Sequence, residues 1–233
     1  LNYNKMISRI RLTIILVILG LSSVVAQSRN DLKYVTETQG EGYFTISSGN
    51  VLSELLIDSS DDPGVIRAFY DLQTDIQNVT GKRPDFKFNS TFNAKNVIIA
   101  GTIGKSALVD DLIKRKLIDP KELSGKWEKF IIFDDHHTSI IISIIKTIDN
   151  PMPQIERALV IVGSDRRGTI YGIYDLAEQM GVSPWYWWAD VPVEKKENVF
   201  VIPGTYTLGE PEVQYRGIFL NDEAPALTGW VQH

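Results

Sequence analysis

Cysteine is absent from the 233 residues. This excludes disulfide staples, a thiol nucleophile and a thiolate metal site, so the fold must rest on its core alone. Histidine is scarce, with three in the chain, and two of them are neighbours in DDHH (134–137). Adjacent residues on a strand face opposite sides, and no second His or Cys cluster stands nearby. A polar strand end is expected there rather than a metal site. Basic charge is also short. The formal net charge is −5, the reverse of the basic footprint that nucleic acid requires. Internal repeats and low-complexity tracts are missing as well.

Long apolar runs are missing apart from the first. Residues 5–11, KMISRIR, carry three positive charges and lead into the 14-residue stretch LTIILVILGLSSVV, which closes on Val24-Val25-Ala26. A basic start, a short apolar middle and small residues at the end describe a secretory signal peptide. The apolar part falls short of the roughly 20 residues that span a bilayer. Residues 1–26 are therefore expected to be a signal peptide, with 1–5 lying upstream of a start at Met6. No membrane attachment is expected after cleavage, and the location is secreted or periplasmic. Cleavage after Ala26 removes three basic and no acidic residues, taking the formal charge from −5 to −8. An anionic ligand then needs local basic groups.

What is present is ordinary globular material, 43% hydrophobic and 23% charged. GYFTI (42–46) and VLSELLID (51–58) read as short strands, the second ambiguous with a helical turn. After Pro63, the apolar positions Val65, Ile66, Phe69, Leu72, Ile76 and Val79 recur at helical spacing up to a stop at Gly81. NVIIAG (96–101) reads as a buried strand and SALVDDLIKRKL (106–117) as a helix. WEKFIIFDD (127–135), SIIISIIKT (139–147) and ALVIVG (158–163) read as strands, and TIYGIYDLAEQM (169–180) as a helix closing on Gly181. The alternation predicts a three-layer α/β domain with a mainly parallel or mixed sheet. Past Gly181 the chain turns aromatic and irregular, with one strand in NVFVIP (198–203). Glu210-Pro211 marks a boundary, and VQYRGIFLN (213–221) opens a new strand. The expected division is 27–209 for the α/β domain and 210–233 for the start of a second.

Four stretches invite a chemical reading. GTIGKS (101–106) follows a strand and opens a helix, but its glycines have two residues between them where a Walker A loop has four. A tight turn with Ser106 near the N-cap is the better reading. GSDRRGTIYG (163–172) also delivers a glycine-bracketed loop to a helix N-terminus, where backbone N–H groups and the dipole favour an anion. Arg166 and Arg167 add a fork suited to a carboxylate. Asp165 either accepts a hydroxyl proton or holds one arginine, and a capped turn with solvated arginines is the competing account. PWYWWADVP (184–192) groups three of the five tryptophans, either as a sugar-stacking surface or as a plug between domains. In NDEAP (221–225), Asp222 and Glu223 follow an apolar strand. Carboxylates at strand ends serve glycosidic chemistry. Neighbours on a strand diverge, so one of the two would face a site and the other brace it.

The last three stretches occur together and in order. GSDRRGTIYGIYDLAEQMGVSPWYWWADVP followed by EPEVQYRGIFLNDEAPAL resembles glycoside hydrolase family 115, the xylan α-1,2-glucuronidases. The likeness covers most of residues 40–233 and is specific through 158–230. It implies a secreted inverting enzyme, a homodimer when full length, that removes glucuronic acid or its 4-O-methyl form from glucuronoxylan without a cofactor. It implies a chain several times longer, with an N-terminal α/β domain and a (β/α)8 catalytic barrel. Residues 210–233 would then be the opening strand of a truncated barrel, and the fragment would be inactive alone. On this resemblance the catalytic candidates are Asp222 and Glu223. The substrate-binding candidates are Asp165, Arg166, Arg167, Asn221 and Trp188, and no metal is implied. The rival is a stand-alone exported carbohydrate-binding module stacking sugars on Trp185, Trp187 and Trp188. A nucleotide-binding protein, resting on GTIGKS alone, conflicts with export.

Overall fold

The computed structural model describes residues 33–89, 94–123, 130–134, 148–206, 215–217 and 219. The chain begins with β1 (Val35–Thr36), β2 (Phe44–Ser48), β3 (Val51–Leu52) and β4 (Glu54–Ile57), followed by helix α1 (Pro63–Thr80). β5 (Phe86–Phe88) and β6 (Ala94–Thr102) come next, then α2 (Ala107–Lys114) and β7 (Phe130–Asp134). β8 (Ile148–Met152), β9 (Ile155–Gly163) and α3 (Arg166–Met180) form the last βα unit. A one-turn helix α4 (Tyr186–Ala189) and strands β10 (Val199–Val201) and β11 (Gly204–Tyr206) follow.

β9, β6, β4 and the edge strand β5 run parallel in a mixed seven-stranded sheet ordered β11-β7-β9-β6-β4-β5. β7 and β8 pair antiparallel with successive halves of β9, at Val160–Gly163 and Ile155–Ala158 respectively. The central strands are buried on both faces, as parallel strands are: Val97 to Ala100 and Ala158 to Val162 have essentially no exposure. Their continuous apolar runs are what made them readable as buried strands.

α1 forms where the spacing predicts. Asp62 caps it by accepting the Gly64 N–H at 2.8 Å, Pro63 sits at its first position, and Gly81 closes it in the left-handed region at φ 76°. Val65, Phe69, Leu72, Ile76 and Val79 fill its buried stripe. α2 is shorter than the expected 106–117. Lys116 adopts φ 59° and the Leu117 N–H turns back to the Leu112 carbonyl at 3.0 Å, which closes the helix after Lys114. α1 and α3 lie side by side and run parallel, tied by Arg166 to Asp62 at one end and Tyr174 to Asp71 further along.

Two features depart from expectation. A second, four-stranded antiparallel sheet, β1-β10-β2-β3, joins the two ends of the domain, with Val35 opposite Val201 and Val199 opposite Ser47. Its strands are two to five residues long and are defined by distant pairing, which local pattern cannot reveal. The expected strand VQYRGIFLN is not formed at its described residues: 215–217 and 219 belong to no strand. Phe219 is 91% exposed. The expected strand SIIISIIKT and the residues of NDEAP lie outside the described residues.

Candidate functional site

The parallel strands β4, β6 and β9 end on one edge of the sheet, and each feeds the N-terminus of a helix. In doubly wound sheets this edge is where ligands bind. The sequence places an acidic run (58, 61, 62), GTIGKS and GSDRRG there.

In the third turn, Gly163 is required by proximity. A Cβ there would collide with the backbone nitrogen and hydroxyl of Thr169. This close approach lets Thr169 reach across to Thr102 at the end of β6, hydroxyl to hydroxyl at 2.8 Å and fully buried. Asp165 is the N-cap of α3. Its carboxylate accepts the Gly168 N–H at 2.8 Å, and its carbonyl accepts the Thr169 N–H at 3.0 Å. The N–H groups near Gly168, expected to be available to an anion, are therefore held by the chain itself. Arg166 is 67% exposed on its side chain and faces Asp62 at 3.7 Å. Arg167 is exposed beside it.

The second turn is built the same way. A Cβ at Gly101 would lie 2.6 Å from the Ser106 hydroxyl, and Gly104 sits at φ 72°. Ser106 caps α2 through the Val109 N–H at 3.4 Å, and the Gly104 N–H donates to Asp110 at 2.9 Å. The expected turn with a serine cap is what forms.

The first turn holds carboxylates that sequence reasoning passed over. Asp61 is buried and accepts the N–H groups of Thr102 at 2.8 Å and Asp62 at 2.7 Å. Burial pushes its carboxyl above the ordinary range, against the pull of those N–H donors. Asp58 accepts the Ser60 N–H and hydroxyl, and reaches the Ala107 N–H of α2 at 2.6 Å. Burial again pushes upward, but here the hydrogen bonds prevail and hold Asp58 below the ordinary range. The signal was present in DSSDDP (58–63), where acids precede a proline at a helix start. All three helix N-termini on this edge thus carry internal carboxylate or hydroxyl acceptors.

The other candidates fall elsewhere. Trp188 lies in α4, and its side chain is outside the described residues, as are Asn221, Asp222 and Glu223 altogether. Trp185 is 60% exposed at the start of α4. Arg216, six residues before Asp222, donates to the Tyr171 hydroxyl on α3 at 3.2 Å and lies 6.0 Å from the centre of its ring. Arg216 thus touches the helix that follows the GSDRRG turn. Among the described residues no group of three His, Cys, Asp or Glu side chains is placed to hold a metal. No helix among them is long and apolar enough to cross a membrane.

Residues 208–233 match the family model of glycosyl hydrolase family 115. The fold is similar to a solved structure described as a family GH115 4-O-methyl-alpha-glucuronidase, BtGH115A, with specificity for decorated arabinogalactans. The two are 31% identical with a TM-score of 0.58, over 80% of this chain and 21% of that one. The chain thus spans about a fifth of the length of that relative. Weaker similarity extends to the structure of CpGH84D, at 9% identity and TM-score 0.45 over 84% of this chain and 25% of that one. It extends also to the GH20 beta-N-acetylhexosaminidase of Streptomyces coelicolor A3(2), at 12% and 0.41 over 76% and 25%. Neither of these two bears on function. Among curated proteins nothing matches the chain.

Proposed function

Because this chain belongs to glycoside hydrolase family 115, we propose that it is the N-terminal part of an exported α-glucuronidase. The whole enzyme removes glucuronic acid, or its 4-O-methyl form, from the side chains of a plant polysaccharide with inversion. The observation that carries this reading is the 31% identity to a family GH115 4-O-methyl-alpha-glucuronidase across four-fifths of the chain. Xylan is the substrate that the sequence resemblance implies, and decorated arabinogalactan is the one named for the similar structure.

In this reading residues 1–26 are the signal peptide, 27–209 an α/β domain and 210–233 the start of the catalytic domain. Asp222 and Glu223 supply one carboxyl group of the inverting pair, the other of the two bracing it, and Asn221 orients the sugar. Inversion requires two carboxyl groups roughly 6.5–9.5 Å apart with water between them. The second comes from parts of the protein beyond these 233 residues, so this chain alone releases no uronic acid. Arg166 and Arg167 stand at the edge of the pocket, where a guanidinium would meet the uronic carboxylate. Asp165 contributes by holding the turn, and Trp188 by stacking on the sugar.

The test is to incubate the full-length protein with glucuronoxylan and, separately, with arabinogalactan, measuring released uronic acid and its initial anomeric form. Release from either polymer with inversion is expected, abolished in Asp222→Asn or Glu223→Gln. Absence of release from both by folded protein would sink the reading. An N-terminus at Gln27 in the exported product would support the signal assignment.

A further inference from the structure

Away from the three turns, the molecule carries a continuous aromatic surface on the edge of the large sheet. Among the described residues β5 is the last strand, paired with β4. Phe86 and Phe88 share one face of it by alternation, with ring centres 5.2 Å apart. Tyr70 of α1 lies flat on Phe86, centres 4.1 Å apart and planes within 9°, and Phe88 meets it edge-on at 6.4 Å. Beneath them the buried Phe69 holds Phe86 at 5.5 Å. The stack is therefore anchored in the core, and its orientation is fixed before any ligand arrives. Yet Tyr70 is 41% and Phe88 39% exposed. A ring held flat with one face in water loses little freedom when another flat apolar face covers it.

Size and charge narrow what that face is. Two rings at these exposures present on the order of 200 Å², against about 800 Å² per partner in a stable protein interface. The charges nearby are mostly paired, with Glu54 of β4 beside the second of the two pairs. Arg67 and Asp71, flanking Tyr70 on α1, meet at 3.1 Å, and Asp85 and Lys87, on the opposite face of β5, meet at 3.3 Å. Asn89 and Ser59 exchange hydrogen bonds at the end of the strand. The surface thus offers ring faces bordered by neutral hydrogen-bonding groups and neutralised ion pairs. That combination matches the apolar face of a sugar ring rather than an ion.

We propose that Tyr70, Phe86 and Phe88 form a secondary carbohydrate-binding surface that stacks on sugar rings of the uncharged backbone of the polysaccharide. It rests on the proposed function for the class of polymer. The surface holds the chain while the uronic acid is removed elsewhere.

Affinity electrophoresis of the full-length protein through gels containing arabinogalactan or xylan stripped of uronic acid tests this. Wild-type protein is expected to be retarded. Tyr70→Ala is expected to weaken binding roughly tenfold and Phe88→Ala severalfold, while Tyr70→Trp, with a larger face, binds at least as tightly as wild type. Unfolding midpoints verify that each variant is folded, and Phe88→Ser serves if Tyr70→Ala is not. Equal retardation of wild type and Tyr70→Ala overturns the proposal, as does Tyr70→Trp behaving like Tyr70→Ala. Hydrolysis of a small soluble uronoside is measured in parallel. Cleavage without polymer retardation removes the platform and leaves the glucuronidase reading intact. Retardation without cleavage does the reverse.

Discussion

The turns after β6 and β9 look alike in sequence, each a glycine-bracketed strand-to-helix loop, and they look alike in structure. In both, the first glycine marks a close approach between strand end and helix start, and a side chain caps the helix. They differ in the cap, a neutral serine in one and an aspartate in the other, and in what the glycine would strike. At Gly101 the nearest atoms belong to side chains of Ser106 and Val109, whereas at Gly163 they include the backbone of Thr169. The lesson is that glycine in such a loop first reports how near the backbone comes to itself. An anion site needs the further condition that the N–H groups are left over, and here the chain's own acceptors take them.

The widest expected difference between the turns comes from adding one methyl group. Gly163→Ala collides with backbone that cannot step aside and is expected to cost about 3 kcal/mol or more. Gly101→Ala, which meets side chains, is expected to cost roughly 1–3 kcal/mol. Urea unfolding midpoints of the two variants give the ordering, and equal midpoints would break the comparison.

A second contrast sets carboxylates that have N–H donors against one that has none. Asp58 is held below its ordinary range by hydrogen bonds, so its contribution is present at neutral pH and lost as pH falls. Asp75 sits in the seam of α1 and α3, where burial first and the like charge of Asp71 second push it up to about 6 from 3.8. The folded state then binds more protons than the unfolded one between those values, and stability declines as pH rises towards 6. Asp75→Asn is expected to abolish that decline, with a gain on the order of 2–3 kcal/mol above pH 6 and little at pH 4. Thermal midpoints across that range measure it.

Smaller effects sharpen the difference between the caps. Asp165→Ala is expected to lose about 1 kcal/mol, with Asp165→Asn restoring most of it. Ser106→Ala should lose less, about 0.5 kcal/mol, because its bond to Val109 is long at 3.4 Å. Arg166→Ala should leave stability within about 0.5 kcal/mol, since an exposed pair at 3.7 Å is worth little. If Arg166 meets the uronic carboxylate, the same variant raises KM in the full-length enzyme without a matching fall in stability.

β4, β6, β7 and β9 of the large sheet and the helices α1, α2 and α3 were legible because each advertises itself locally, whereas the three-residue edge strands β5 and β11 were not read. α1 has its proline, its apolar stripe and its glycine, and β6 and β9 have unbroken apolar cores. β8 was not legible: Asp149, Asn150 and Pro151 break any apolar alternation, and the strand exists because β9 offers it a ladder. The small sheet was legible only in pieces: GYFTI and NVFVIP read as strands where β2 and β10 form, but two-residue strands such as Val35–Thr36 carry no period and nothing local shows that these pieces pair with one another. Of the candidate site, the turn around Asp165 could be read as far as its residue types but not as far as its hydrogen bonds. There the Gly168 and Thr169 N–H groups go to Asp165 itself, and in the turn after β6 the N–H groups of Thr102 and Ala107 go to Asp61 and Asp58, residues distant in sequence.

The position of β10 has one more consequence. It lies between β1 and β2, and among the described residues β1 pairs with no other strand. A chain made from its N-terminus thus emits β1 long before Val199–Val201 exists to receive it, and closing so wide a loop is slow. Until then the first strand must wait without β10, its partner in the small sheet. The part of the domain that is synthesised first is the part that is assembled last.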